Sequence, residues 1–289
     1  MKIFITGASS GIGLALAHEY AKRIASGASE TKTPADLAKN ISSLRTDSNN
    51  NIIGLAARRS EHLQVLAQAL KAQYGVTCMI YPLDVRDSLA CQLAAQDFIG
   101  KFGAPNIVIA GAGVSRGTLT EFREDIPAFQ AVLDINVMGM VHTFQPFIAA
   151  MKASAKLGDT AQLVGVASVA GIRGLPGAGA YSASKAAVIS YLESLRVEMA
   201  RDNITVTTIA PGYIRTPMTD VNSYKMPFLM DADVFAHKFA NAVAGKKRFT
   251  IIPWQMGVIA KIMRLIPPFL WDFAMKNAPH KKRINWDWL

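Results

Sequence analysis

Short apolar segments rich in β-branched residues alternate along the chain with longer segments in which apolar residues recur at helical spacing. Such spacing relates Leu66, Ala69 and Leu70, for example. The alternation predicts an α/β protein with a doubly wound parallel sheet of about seven strands and helices on both faces. The expected strands are Lys2–Thr6, Asn51–Ala57, Thr77–Tyr81, Asn106–Ala110, Ala161–Ala167, Thr205–Ala210 and Phe249–Ile252.

Two segments interrupt this alternation. Residues 27–50 separate the first helix from the second strand, where a few residues would suffice, and they are rich in Ser, Thr, Asn and Lys. We interpret them as a surface insertion with a short helix at 34–44. Residues 251–289 follow the last strand, so we expect a single domain over residues 1–250 with a helical C-terminal extension over 251–289.

Composition narrows the functional classes. Cys78 and Cys91 lack metal-ligand spacing and the five histidines are scattered, so we expect no metal site. Free thiols fit a reducing compartment. The first apolar segment runs straight into a glycine-rich turn without a signal-peptide cleavage site. We therefore expect a cytoplasmic protein.

The first strand leads into a glycine-rich turn that opens the first helix. Gly7 permits a tight turn, Gly11 lets the backbone approach a pyrophosphate, and Gly13 lets the helix pack near the strand. The helix N-terminus then presents unpaired amides to the phosphates. The residues predicted to form this phosphate site are Gly7, Ser9, Ser10, Gly11, Ile12 and Gly13.

Tyr181 and Lys185 stand four residues apart at the start of a long predicted helix, so they project from one face. A phenol with a pKa of about 10 is a poor acid–base catalyst at neutral pH, and a nearby ammonium lowers that pKa. Ser168 follows a predicted strand, where its hydroxyl can bind a substrate oxygen. Without a Gly-x-Ser-x-Gly turn around Ser168, a hydrolase is not indicated.

Over residues 1–250 these motifs resemble those of the classical short-chain dehydrogenases/reductases. The resemblance rests on Thr6-Gly-x-x-x-Gly-x-Gly, on Asn136, and on Ser168 followed by Tyr181-x-x-x-Lys185. It implies a Rossmann-type fold and hydride transfer between a nicotinamide and a carbonyl or alcohol. It also implies that Asn136 holds a water linking the lysine to solvent, and that Lys185 holds the nicotinamide ribose.

The resemblance assigns further cofactor contacts. Asp84 would meet the adenine, and the loop at 211–217 would cup the nicotinamide, with Thr216 on the phosphate. Gly111 departs from the family, which commonly has an asparagine there; we expect the region to be softened while the backbone approach to the cofactor is kept. The cofactor residues expected besides the glycine turn and Arg58 are Asp84, Val85, Gly111, Ala112, Tyr181, Lys185, Pro211, Gly212, Ile214 and Thr216.

The end of the second strand bears on the choice of cofactor. No acidic residue stands there to bind the ribose hydroxyls, as in NAD-binding sites; the strand ends with Arg58 and Arg59. The fork of Arg58 fits a 2′-phosphate, which favours NADP(H) over NAD(H). The alternative is that both arginines are solvated surface charges.

We therefore predict an NADP(H)-dependent oxidoreductase acting on a ketone or secondary alcohol, a carbonyl reductase with Tyr181 as acid–base. Methionines and aromatic residues at 218–231 suit a bulky, lipid-like substrate, although plain loop packing would need the same residues. The alternative function is a non-catalytic nucleotide-binding or membrane scaffold with the same fold. By resemblance we expect a homo-oligomer built on the helices near Ala128 and Ala180.

The C-terminal extension is apolar but interrupted by Lys261, Arg264 and Pro267-Pro268, which predicts two short amphipathic helices and no membrane span. Residues 245–289 hold nine Lys/Arg against two Asp/Glu, or +7 of the net +10. Basic flanks and tryptophans are typical of a peripheral anchor on an anionic membrane. Docking on another subunit or on the enzyme's own body is the open alternative. Nucleic-acid binding is not indicated.

Overall fold

The computed structural model describes residues 1–27, 51–222, 224–278, 280, 281 and 283. The predicted insertion beyond Gly27, with its helix at 34–44, lies outside the described residues, as do Trp286 and Trp288.

A seven-stranded sheet with every strand parallel runs through the described residues and confirms the predicted fold class. The predicted strands agree with the observed ones to within one residue at either end. The strands are β1 (Lys2–Thr6), β2 (Ile52–Ala57), β3 (Thr77–Pro82), β4 (Ile107–Ala110), β5 (Ala161–Val166), β6 (Ile204–Pro211) and β7 (Phe249–Ile252).

The strand order is β3-β2-β1-β4-β5-β6-β7, so the chain winds outward in one direction from β1 and in the other from β4. Crossovers on the two sides of this switch point diverge and leave a crevice at the carboxyl ends of β1 and β4. Thr6 pairs with Ala56 on one side and with Ala110 on the other, so the three strands end level at this crevice.

Helices cover both faces of the sheet in the described part of the chain. A five-residue π-helical segment, Asp134–Met138, joins α4 to α5. The helices are α1 (Gly11–Ala25), α2 (Ser60–Tyr74), α3 (Ser88–Phe102), α4 (Ile126–Leu133), α5 (Gly139–Lys156), α6 (Gly179–Met199), α7 (Pro217–Asp220), α8 (Ala232–Ala244), α9 (Trp254–Leu265) and α10 (Pro268–Met275).

The period of β-strands divides the core into two layers. Alternate residues of β1 point to opposite faces, so Phe4 joins one layer while Ile3 and Ile5 join the other. Phe4 packs edge-on against Phe98 of α3, with ring centroids 5.6 Å apart. On the opposite face, Phe239 of α8 is fully buried. Each such side chain contributes about 1.5–3 kcal/mol of burial energy, which fixes the helices that frame the crevice.

The C-terminal extension forms two short helices, α9 and α10, separated at Pro267-Pro268 as predicted. Arg173 holds their junction to the body of the domain: it donates to the Ile266 carbonyl at 3.0 Å and lies 4.9 Å from the Trp271 ring centroid. Within the described residues, no helix is both long and apolar enough to cross a membrane.

Candidate active site

The glycine turn between β1 and α1 forms the floor of the crevice. Gly7 has a φ of +75°, and a Cβ there would lie 2.7 Å from the Ala112 amide nitrogen. A Cβ at Gly13 would collide with the Gly7 carbonyl. Each position therefore requires glycine: Gly7 for its backbone conformation and both for the close approach.

The N-terminus of α1 suits an anion. Ser10 occupies the N-cap position, but its side chain makes no capping hydrogen bond, and the first turn holds no acidic residue. The first amides of a helix have no partner within the helix and carry partial positive charge. They are left to donate to a phosphate group, so this turn fits the pyrophosphate of a dinucleotide.

A cleft of about 260 Å³ opens above the turn, and a second cavity of about 90 Å³ adjoins it. Both are lined by Gly111, Gly113, Thr216 and Met218. Gly13 lines neither, because it packs under the turn. The predicted cofactor residues along the cleft are Gly7, Ser9, Ser10, Gly11, Arg58, Asp84, Val85, Gly111, Ala112 and Thr216. Those in the second cavity include Ile12, Tyr181, Lys185, Pro211, Gly212 and Ile214.

Two arginines contact Asp84 at one end of the cleft. Arg58 is half-exposed and lies 4.0 Å from the Asp84 carboxylate. Arg86 donates two side-chain hydrogen bonds to the same carboxylate, at 2.8 and 3.1 Å. Burial alone would raise the pKa of Asp84, but the hydrogen bonds from Arg86 and the charge of Arg58 hold it below its ordinary value. Asp84 is therefore an anion held in place at this end.

Arg59 makes a contact that the sequence reasoning missed. Its guanidinium donates to the Ser9 hydroxyl at 3.2 Å, which links the end of β2 to the glycine turn. The sequence places two arginines in succession but does not show which one turns toward the phosphate site. The structure puts both Arg58 and Arg59 along the cleft.

Ser168, Tyr181 and Lys185 meet in the second cavity. Ser168 follows β5, where its hydroxyl accepts a hydrogen bond from the Ala170 amide at 3.2 Å. Tyr181 lies in the first turn of α6. Burial raises the pKa of the Tyr181 phenol, and a hydrogen bond with Ser168 acts in the opposite direction. At neutral pH the phenol therefore carries its proton.

Lys185 lies one turn further along α6 and is almost fully buried. Its ammonium donates to the Val166 carbonyl at 2.8 Å and lies 5.8 Å from the centroid of the Tyr181 ring. Burial lowers the pKa of Lys185 to about 8. The expected lowering of the Tyr181 pKa is not seen, because burial disfavours the charged form of both groups.

Asn136 is fully buried, and its amide oxygen and both amide hydrogens make hydrogen bonds. It accepts a hydrogen bond from the Val114 amide at 2.8 Å and donates to the Val114 carbonyl at 3.0 Å. Its second amide hydrogen goes to the Ser184 hydroxyl at 2.9 Å. Asn136 therefore clamps the loop after β4 to α6. The sequence suggested that Asn136 lies in an ordinary α-helix. The structure places it in the π-helical segment instead.

Gly113 separates Asn136 from Lys185. A Cβ at Gly113 would lie 3.3 Å from the Asn136 amide oxygen and 3.6 Å from the Lys185 ammonium. The two polar groups are therefore near neighbours across a glycine. This arrangement is the one that a water-mediated link between them would need.

The unusual Gly111 has a local explanation. A Cβ at this position would lie 2.8 Å from the Thr6 carbonyl oxygen, so this backbone does not accept an asparagine without a shift. The Gly111 amide instead donates to the Thr6 hydroxyl at 3.3 Å. Thr143 stands beside it, with the two hydroxyl oxygens 3.5 Å apart. Hydroxyl groups thus provide hydrogen bonding at the position where we expected the region to be softened.

Among the described residues, no group of three or more His, Cys, Asp and Glu side chains comes together in a way that could hold a metal ion. Two of the histidines have other contacts: His142 lies 2.9 Å from the Val85 carbonyl and His237 lies 3.1 Å from Glu19.

Comparison with known sequences identifies the family. Residues 44–226 match the short chain dehydrogenase family. An uncharacterized oxidoreductase of Myxococcus xanthus (strain DK1622) is 32% identical over 273 residues, which are 94% of this chain and 95% of that protein. The chain belongs to the short-chain dehydrogenase/reductase family of oxidoreductases, as its motifs predicted.

Two solved structures share the fold. A short-chain dehydrogenase from Sphingobium yanoikuyae in complex with NADPH superposes with a TM-score of 0.70 at 19% identity, covering 98% of both chains. A short-chain dehydrogenase/reductase from Burkholderia phymatum in complex with NAD gives a TM-score of 0.71 at 21% identity, covering 98% of this chain and 97% of that one. The two proteins differ in the cofactor they hold.

The buried Lys185 makes stability depend on pH. Its pKa is about 8 in the folded protein and about 10.4 in an unfolded chain. Between these values the unfolded state binds more protons, so the contribution of Lys185 to the free energy of unfolding rises with pH. We expect Lys185→Met to remove this rise.

Urea unfolding of both proteins between about pH 7 and about pH 10 measures the effect. The wild type should gain stability relative to the variant as the pH increases. A difference between the two that stays constant with pH would contradict the burial of a titrating ammonium at this position.

Proposed function

We propose that the protein is an NADP(H)-dependent carbonyl reductase that interconverts a ketone and a secondary alcohol. The observation that carries this proposal is the meeting of Ser168, Tyr181 and Lys185 in one cavity that adjoins the glycine turn. The family and the uncapped N-terminus of α1 support a dinucleotide as the cofactor.

A bound nicotinamide would supply or accept the hydride. Tyr181 donates its phenolic proton to the carbonyl oxygen during reduction and takes a proton from the alcohol in the reverse direction. Its raised pKa suits the donor role, since the phenol is protonated at neutral pH. The Ser168 hydroxyl hydrogen-bonds the substrate oxygen and orients it toward the phenol.

Lys185 and Asn136 complete the proposed proton path. With a pKa of about 8, Lys185 is mostly charged at neutral pH, so its ammonium stabilises the phenolate left after proton transfer. Asn136 fixes the Gly113 loop beside the ammonium. A water between the Asn136 amide oxygen and the ammonium would return a proton from solvent.

NADP(H) is the proposed cofactor in preference to NAD(H). Arg58 and Arg59 line the cleft where the adenosine ribose would lie, and Arg59 is tied to Ser9 of the phosphate site. A 2′-phosphate carries negative charge and accepts bidentate hydrogen bonds from a guanidinium. Arg58, half-exposed and 4.0 Å from Asp84, is the residue that we propose to pair with this phosphate.

Replacing Tyr181 by Phe tests the enzymatic function against the alternative of a non-catalytic scaffold. We expect Tyr181→Phe to lower kcat for ketone reduction by about 10²–10⁴-fold, because the proton donor is lost, while NADPH still binds. Tyr191→Phe, on the same helix, should leave both properties unchanged. Equal turnover in the wild type and Tyr181→Phe would contradict the assignment.

Replacing Arg58 by Ala tests the cofactor preference. We expect the Kd for NADPH to rise by about tenfold or more, because a charge-assisted hydrogen bond is lost, while the Kd for NADH changes little. Fluorescence titration with each cofactor measures both constants, and Arg201→Ala, at an exposed site, is the control. Tighter binding of NADH than of NADPH by the wild type would overturn the preference.

The substrate is proposed to be lipid-like, and the enzyme to bind an anionic membrane surface. Met218 of α7 lines the catalytic cavity and is partly exposed, so apolar surface faces the substrate opening, and Phe228 of the following segment is also exposed. A second apolar surface lies on the outer side of α9 and α10, beside the exposed Lys261 and Arg264. Its large exposed side chains are Trp254, Val258, Ile262, Leu265, Phe269, Leu270 and Phe273.

A triple change to Ser at Leu265, Phe269 and Phe273 tests membrane binding. The wild type should sediment with vesicles of phosphatidylglycerol more than with vesicles of phosphatidylcholine, because the apolar face is bordered by positive charge. The triple variant should stay in solution. The control changes three exposed apolar residues, away from this face and from α4 and α6, to Ser: Val65, Leu89 and Leu157.

Light scattering on the same variants tests the alternative that a second subunit, rather than a membrane, covers this face. We propose that subunits associate through α4 and α6 instead, where Ile126 and Val197 are exposed. A triple variant that still assembles but no longer sediments supports the membrane assignment. A triple variant that falls apart into monomers would assign the face to a subunit contact.

A further inference from the structure

Three described residues beyond α10 contact the body of the protein, one of them at the rim of the catalytic cavity. His280 packs against Gly177, where an added Cβ would lie 2.6 Å from the His280 Cβ. Arg283 donates to the buried Asp125 carboxylate at 2.8 Å, and its guanidinium carbon lies 3.6 Å from the Phe122 ring centroid. These contacts fasten His280 and Arg283 to the body of the protein.

Lys281 lies between these two attachment points and points inward. Its ammonium donates to the Ser115 hydroxyl at 3.1 Å and to the Met218 carbonyl at 3.4 Å. Ser115 directly follows the loop that Asn136 clamps, and Met218 lines the catalytic cavity. Lys281 therefore reaches the rim of the cavity that holds Ser168 and Tyr181.

The ammonium of Lys281 is partly withdrawn from water without a counter-charge. Among the described residues, no carboxylate lies within 4.0 Å of it. Burial lowers its pKa to about 8, and the nearby guanidinium of Arg116 acts in the same direction. A buried cation is unfavourable unless an anion pairs with it, so this position is suited to an anion from a ligand.

A groove of about 610 Å³ leads to Lys281 from outside. Leu175 and Met275 give it apolar walls, and Lys225 adds a second ammonium to its lining. Tyr213 and Tyr224 form its inner wall, with their rings packed edge-on at 6.3 Å. The groove thus offers an apolar surface together with two positive charges.

We propose that Lys281 binds an anionic group, a carboxylate or a phosphate, on the carbonyl substrate. This inference rests on the proposed reductase function and narrows its substrate class to amphiphilic carbonyl compounds with an apolar chain and one anionic end. The apolar part lies against Leu175 and Met275, Lys225 assists at the outer end, and the carbonyl enters beside Tyr181.

The phosphates of the cofactor are the other source of such an anion. Lys281 does not line the cleft above the glycine turn, whereas Arg58 and Arg59 do. Met218, whose carbonyl accepts a hydrogen bond from Lys281, lines both that cleft and the catalytic cavity, however, so the two sources must be separated by experiment.

The test compares keto derivatives of dodecanoic acid, with the ketone at increasing distance from the carboxylate, with their methyl esters. Calorimetric titration of the protein loaded with NADP⁺, which has no hydride to donate to a ketone, gives the Kd of each probe without turnover. We expect the wild type to bind at least one acid about tenfold or more tightly than its ester, because the acid gains a charge-assisted hydrogen bond. Lys281→Gln should lose this preference, and Lys281→Arg should retain it.

The exposed Lys71 supplies a matched control, since Lys71→Gln removes the same charge far from the groove. The Kd for NADPH should be unchanged in all variants. Loss of NADPH affinity in Lys281→Gln would assign the anion to the cofactor and overturn the inference. An acid preference that survives Lys281→Gln, or that the wild type lacks for every pair, would also overturn it.

The same probes distinguish a failure of the proposed reductase function from a failure of the proposed anion site at Lys281. If the wild type binds an acid through Lys281 but reduces none of the probes, and Tyr181→Phe behaves like the wild type, the reductase function fails while the anion site stands. If the probes are reduced with equal kcat/KM for acid and ester in both the wild type and Lys281→Gln, the anion site fails while the reductase function stands.

Discussion

The parallel direction of all seven strands is the constraint on which the site depends. Parallel strands place their carboxyl ends on one edge of the sheet, and the reversal of winding between β1 and β4 opens that edge. The glycine turn, the Gly111–Gly113 loop and Ser168 come from three strands and meet there for this reason. Apolar layers on both faces hold the strands in register, so the positions of the polar groups follow from packing far from the site.

Much of this arrangement could be predicted, because the signals are local. A strand buried on both faces must be a continuous apolar segment, so each strand could be located to within one residue. Tyr181 and Lys185 stand one helical turn apart, and that spacing alone places them on one face of α6. The break at Pro267-Pro268 is equally local, since proline cannot continue a helix.

What could not be predicted depends on contacts between residues distant in sequence. Nothing in the succession of Arg58 and Arg59 indicates that Arg59 turns back to Ser9. The replacement of an asparagine by Gly111 is understandable only once the Thr6 carbonyl and hydroxyl are seen beside it. The raised pKa of Tyr181 also depends on distant parts of the chain. They bury the phenol, and this burial raises its pKa although Lys185 stands only one helical turn away.

The attachment of Arg283 to Asp125 has a consequence for how enzymes of this kind diversify. The proposed catalytic side chains lie between residues 136 and 185, inside the region that matches the family at 44–226, whereas part of the groove lining comes from Met275, Ala278 and Lys281, beyond that region. Changes in the tail alter the groove without touching a strand or the proposed proton path. If the proposals hold, selection can reshape substrate choice at the end of the chain while the residues proposed for hydride transfer are inherited intact.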